Sequence, residues 1–176
     1  MLRYLPFLLL LTACFADEVE EDLARDPYFD LTAYINRQVD SLQAAGGEVT
    51  KTITLNGTTE TKRMTDLNFA TDLRVFREAD INKPAWLDKY HSEREARGDS
   101  LIRTYTALDS SMQTRRLRVV SQDNVPVHIE IIRRTGTVLS KGQHRLIYEP
   151  ARGYRMRTEQ TNRFGKDLDA DIAVSW

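Results

Sequence analysis

From Leu101 to Trp176 the chain is cut into six short segments of strand character by five turn signals. This rhythm restricts the fold more than any other feature. The segments run 101–108, 113–121, 125–134, 137–149, 154–163 and 168–175. Asp109-Ser110-Ser111, Asp123-Asn124, Thr135-Gly136, Pro150 to Gly153 and Gly165-Lys166-Asp167 separate them. A parallel crossover needs about a dozen residues, so connections this short force consecutive strands into an antiparallel meander. The last segment is the cleanest. Leu168, Ala170, Ile172 and Val174 alternate with Asp169, Asp171, Ala173 and Ser175, one face for a core and one for water.

The residues before the meander change period. Leu31, Tyr34, Ile35, Val39 and Leu42 follow helical spacing and predict a helix over 27–45, with Asp30 able to cap its start and Gly46-Gly47 to end it. Residues 48–63 read as a hairpin. Val49, Ile53 and Leu55 are interleaved with threonines, and Asn56-Gly57 is the strongest short turn signal there is for two paired strands. The return strand from Thr58 has no apolar residue, which places it at a sheet edge where Lys62 and Arg63 oppose further pairing. A second helix is predicted over 66–79, capped by Asp66, with Phe69, Ala70, Leu73 and Phe76 on its apolar face. Pro84 suits the first position of a short helical turn, and Trp86 reads as a large buried anchor. Residues 91–99, with Glu93, Arg94, Glu95, Arg97 and Asp99, read as a mobile loop. The expected class is α+β: a curved antiparallel meander of about six strands plus an N-terminal hairpin, packed on two helices and half-barrel-like.

The extreme N-terminus speaks of location. Arg3 precedes an apolar stretch containing four consecutive leucines, Leu8 to Leu11, followed by Thr12-Ala13-Cys14. The stretch is too short to span a bilayer and reads as a secretory signal. Leu11-Thr12-Ala13-Cys14 looks like a bacterial lipobox, which implies cleavage between Ala13 and Cys14 and a diacylglycerol on the thiol. Each buried methylene of such an anchor contributes about 0.8 kcal/mol, and two or more chains anchor stably. Cys14 is the only cysteine, so lipidation leaves no thiol for a disulfide, a nucleophile or a metal. Phe15 after the cysteine implies outer-membrane sorting. The acidic run Asp17-Glu18-Val19-Glu20-Glu21-Asp22 resembles the export signal of surface lipoproteins, and equally suits a solvated tether. The domain reading is therefore 1–13 signal peptide, 14–26 lipidated acidic tether and 27–176 a single domain.

Charge is polarised along the chain. Residues 1–99 hold 12 Lys+Arg against 18 Asp+Glu, and residues 100–176 hold 13 against 8. The formal net charge of −1 excludes a strongly basic nucleic-acid binder. The basic excess sits in the meander as arginine, including Arg116 and Arg118. Two readings account for it: a solvated sheet surface paired with nearby acids, or a patch for anionic partners such as lipid headgroups or polysaccharide.

No phosphate loop, nucleophile elbow, zincin or calcium-loop motif is present. His128 and Glu130 share one face of a strand, and His144 lies on the next. An odd-length loop can put His128 opposite His144 and make a two-His, one-carboxylate site conceivable. A two-residue turn at Thr135-Gly136 instead puts Glu130 opposite Lys141 and turns His144 to the other face. That register gives a favourable charge pair and is the one expected, with no metal. Asp169 and Asp171 share a strand face as an outward polar stripe. The aromatics, with Phe69, Phe76 and Trp86 among them, either build the core or line a cavity for an apolar ligand.

The segment Asp80-Ile81-Asn82-Lys83-Pro84-Ala85-Trp86, with Tyr28-Phe29-Asp30-Leu31, Lys51-Thr52, Asn56-Gly57 and Ala107-Leu108-Asp109-Ser110-Ser111, resembles uncharacterised small lipoproteins of Bacteroidota. The resemblance covers most of the mature chain and implies a lipidated outer-membrane protein. It implies no activity. The expectation is a non-enzymatic binding or structural module without a cofactor beyond its covalent lipid. A half-barrel carrier of an apolar ligand and an envelope hydrolase are the alternatives.

Overall fold

A computed structural model describes residues 28–176. The order is α1 (Leu31–Ala45), β1 (Val49–Leu55), β2 (Thr58–Met64), α2 (Phe69–Asp72), α3 (Arg74–Arg77), a 3-10 turn (Pro84–Trp86), then β3 (Tyr90–Arg97), β4 (Ser100–Ala107), β5 (Thr114–Gln122), β6 (Val125–Gly136), β7 (Ser140–Glu149), β8 (Gly153–Asn162) and β9 (Leu168–Ser175). The nine strands form one open antiparallel sheet in the order β2-β1-β9-β8-β7-β6-β5-β4-β3. The α+β class and the meander stand, and the strand count rises from eight to nine.

The extra strand is β3, where a mobile loop was expected. Beyond Tyr90 every residue of β3 is exposed, so the strand carries no alternation to read. Its stability comes from backbone pairing with β4, from Tyr90↔Ala107 to Arg97↔Ser100. Charged side chains on both of its faces are how an edge strand discourages a further partner. The same logic holds at the opposite edge, where β2 is exposed from Thr58 to Arg63. The β1–β2 turn has positive φ at both Asn56 and Gly57, the geometry that twists a tight hairpin correctly.

Helix α1 begins where Asp30 accepts a hydrogen bond from Ala33 N–H at 2.8 Å, and ends where Gly46 N–H returns to the Leu42 carbonyl. It buries Leu31, Tyr34, Ile35 and Val39. The single helix expected over 66–79 is two short ones instead. The cap is Asn68 rather than Asp66, because Asn68 stands directly before the first buried residue and accepts from Thr71 N–H at 2.9 Å. The first turn is tied to the sheet through Asp72, which takes Lys51 and the Tyr154 hydroxyl, and Leu73 breaks the helix as it enters the core. Helices and sheet share one core: Phe76 packs edge-on against Tyr148 and Tyr154, and Tyr28 against Tyr90 and Tyr105. The helices occupy one face of the sheet, here the inner face.

The registers correct a second expectation. The β6–β7 turn is Thr137-Val138-Leu139, closed by Thr137 N–H to the Ser140 carbonyl, with Gly136 opposite Lys141. Glu130 therefore faces Ile147, not Lys141, and His144 faces Arg133, not His128. Alternation of connections gives the sheet two ends. The upper end carries the approach to β3 at 87–89 and the turns at 56–57, 108–113, 137–139 and 163–167. The lower end carries Gly98-Asp99, Asp123-Asn124 and 150–152.

Candidate functional site

The outer face of the sheet concentrates the arginines. Antiparallel registers bring Arg116, Ile132, Arg145 and Arg157 into one transverse row over β5 to β8, ending at Asp171 on β9. The adjacent row is Arg118, Glu130, Ile147 and Arg155. Neighbouring strands lie about 4.8 Å apart, so Arg145 and Arg157 are like charges directly opposite each other, an arrangement that costs stability.

Glu130 holds the centre. Its side chain is only 9% exposed, and it takes Arg145 on one oxygen at 2.7 Å and Arg116 on the other at 3.1 Å. Burial pushes the carboxyl up, but the hydrogen bond and charge of Arg145, joined by Arg116, outweigh it and hold Glu130 below the usual carboxylate range. One carboxylate thus serves two arginines, with Arg118 directly opposite it. Arg157 binds Glu159 at 3.2 Å, and Arg155 grips Asp171, whose carboxyl that hydrogen bond holds low. Between these side chains lies a cleft of about 450 Å³, with Ile132, Gln143, Arg145, Arg157 and Glu159 among its lining residues. A small apolar floor under convergent guanidinium groups is chemically suited to a carboxylate, sulfate or phosphate carried on a larger molecule.

A second polar cluster lies on the inner face beyond the helices. His144 is clamped between Thr135 Oγ1 at 2.9 Å from Nε2 and Thr158 Oγ1 at 3.0 Å from Nδ1. The ring lies over Gly142, where any Cβ would meet Thr135 Oγ1 at 2.7 Å and His144 Nε2 at 2.9 Å. Burial, and then the Arg133 charge, hold the imidazole below its ordinary value, so it is neutral at pH 7 and one threonine donates while the other accepts. Arg133 is itself 8% exposed. Its contacts are neutral, the Gln113 Oε1 at 3.3 Å and the Val75 carbonyl at 3.5 Å, and its Nε has no partner. Among the described residues no carboxylate lies within ion-pair distance of it. Both ring nitrogens of His144 are engaged within the sheet, so this cluster reads as a packed support.

The residues singled out from sequence separate into three groups. Arg116 and Arg118 join the outer platform. Phe69 and Phe76 are buried in the core. Trp86 is a correction, since it is only partly buried at the core margin, with Lys83 Nζ 4.1 Å above its ring. Cys14 and Ala13 lie outside the described residues. His128 sits opposite Glu149 and contacts it at 3.2 Å, on the face away from His144. Among the described residues no group of three or more His, Cys, Asp or Glu could hold a metal, and no helix is long and apolar enough to cross a membrane. The sequence counts Arg145 and Arg157 in the same arginine excess as Arg116 but does not single them out, and it gives no sign of Gln143, because only the registers bring them together. The alternation along β7 and β8 was the one available signal, since it already put them on the outward face.

Compared with known proteins, the chain matches no family model, no curated protein and no solved structure.

Proposed function

We propose that the chain is a lipid-anchored, non-enzymatic binding module of the bacterial outer envelope, whose outer sheet face recognises an anionic envelope component. Residues 1–13 are the signal peptide, Ala13–Cys14 the cleavage point, and Cys14 the diacylglycerol site. Residues 14–26 form the tether and 27–176 the binding domain. The observation that supports recognition is the row of Arg116, Arg145 and Arg157, in which two like charges face each other across a single strand pair. Glu130 and Glu159 offset these charges only in part, so the facing like charges cost the fold stability, and an anion seated over Ile132 relieves that cost. The burial of Phe69, Leu73 and Phe76 against the sheet speaks against an apolar ligand held between helices and sheet, so the carrier reading ranks second.

Two measurements test the proposal separately. Cys14→Ala is expected to move the protein from the membrane to the soluble fraction, and unchanged fractionation refutes the anchor. Titration of purified protein with a sulfated polysaccharide as the anionic probe tests recognition. Arg145→Ala with Arg157→Ala is expected to weaken binding about tenfold or more, with an affinity that falls as salt rises. Equal affinity in the double variant refutes the platform.

A further inference from the structure

The exposed large apolar side chains of the described residues are unevenly placed. Leu55, Leu87, Leu108, Val138, Leu139 and Phe164 all lie at the upper end of the sheet. At the lower end only Val125 is comparable.

The apex of the upper end is built from two adjacent turns. β6 runs three residues past Arg133, the partner of the first residue of β5, so the β6–β7 turn stands above its neighbours on that side. Val138 is 85% exposed, Leu139 57% and Phe164 75%. The two turns are locked together, because Arg163 N–H donates to the Leu139 carbonyl at 2.8 Å. The apolar tips are thus presented side by side as one group. Lys141, Arg163 and Lys166 are exposed around them, with Arg163 lying 5.7 Å from the Phe164 ring centre. Asp167, in the same turn, accepts the Asn162 N–H at 2.8 Å.

Turn geometry explains none of these three apolar side chains, since exposed turns favour small polar residues. Apolar tips ringed by cations match the layered chemistry of a bilayer surface, with acyl chains below and phosphates above. We propose that the upper end of the sheet is a membrane-contacting rim, in which Val138, Leu139 and Phe164 enter the headgroup–acyl boundary of an anionic bilayer while Lys141, Arg163 and Lys166 engage its phosphates. The rim is distinct from the arginine platform, which lies on the sheet face. It also does not depend on Cys14. A protein so seated stands with its strands rising from the membrane and its outer face accessible.

The test uses the mature chain, residues 14–176, carrying Cys14→Ala, so that contact by the folded domain is measured without the acyl anchor and without the apolar segment of residues 1–13. Phe164→Trp places a reporter at the rim, and Val125→Trp places one at the opposite end, each read as the difference from the parent chain, which carries Trp86 and Trp176. With vesicles of phosphatidylcholine doped with phosphatidylglycerol, emission at position 164 is expected to shift blue and to be quenched by brominated acyl chains, while emission at 125 is not. Val138→Ser, Leu139→Ser and Phe164→Ser together are expected to weaken vesicle partitioning about tenfold. Absent quenching at 164, equal quenching at 125, or unchanged partitioning of the triple variant overturns the rim. Loss of self-association in the triple variant by sedimentation, with vesicle binding intact, also overturns it and makes the tips a contact between copies of the chain. Failure of the anchor would appear in the fractionation of Cys14→Ala alone, so the two outcomes are separable.

Discussion

The two ends of the sheet do the same topological work with opposite chemistry. Both reverse the chain through tight connections. The lower end does so with Gly98-Asp99, Asp123-Asn124 and the segment from Pro150 to Gly153, and tucks its large aromatic inward: Trp176 packs against Phe69, Tyr148 and Tyr154 and donates to the Pro150 carbonyl at 3.0 Å. The upper end leaves its large aromatic, Phe164, outside the core. The lower end is therefore shaped by packing, whereas the turns at 137–139 and 163–167 of the upper end present apolar side chains that the packing of the fold does not use. That contrast can be broken by substitution.

The largest difference is expected between two glycines in corresponding roles. Gly153, at φ 139°, has no room for a side chain, because an added Cβ would lie 1.9 Å from the Val174 carbonyl oxygen. Gly153→Ala must displace backbone and is expected to cost about 4 kcal/mol, which a denaturant midpoint would register. Gly165, at φ 91°, meets nothing within 4 Å. Gly165→Ala carries only the conformational penalty, about 1 kcal/mol. Equal losses would mean that the ends are equally constrained.

Next come the aromatics. Trp176→Ala is expected to cost about 3 kcal/mol, since it strips a ring from three aromatic neighbours. Phe164→Ala is expected to change the unfolding midpoint by less than about 0.5 kcal/mol. A large loss at Phe164 would make the upper tips structural.

The smallest effect expected is a shallow pH dependence from the upper half of the inner face. Burial and Arg133 hold the folded-state value of His144 below that of the unfolded chain. The unfolded state then takes the proton first. The contribution is complete above the unfolded value, about 6.5, and is lost as pH falls from there through the lower folded value. Thermal midpoints of the parent chain should fall more steeply over that window than those of His144→Asn. Parallel curves would show that the ring is not held neutral by its site.

How much of this was legible differs by element, for physical reasons. β4 to β9 announced themselves because a half-buried strand must alternate, and α1 because its buried residues repeat at helical spacing. β3 was silent: an edge strand held by backbone pairing requires nothing of its side chains, and its charges imitate a loop. The break at Leu73 was equally hidden, because it is imposed by Asp72 reaching Lys51 and Tyr154, partners remote in sequence. The platform was half legible. Arg116 and Arg118 stood out as basic, but whether Arg145 falls beside them depends on a three-residue turn where a two-residue one fits the sequence as well. The rim was hidden by the same turn, since Val138 and Leu139 read as the start of a strand.

One feature of the topology governs how the molecule can be made. β1, the first strand of the described residues, pairs on one side with β2 and on the other with β9, the last of them, through contacts from Thr50↔Ser175 to Leu55↔Ala170. During synthesis or export that flank of β1 has no partner until β9 emerges. Closing so long a loop is slow, because its entropy is lost before the contacts form. A chain halted before Leu168 keeps β3 to β8 yet leaves two strand edges, β1 and β8, unpaired and open to other chains. Emergence of β9 is thus the event that commits the chain to its native form, and any cell that makes this protein must keep the hairpin from pairing with other chains until then.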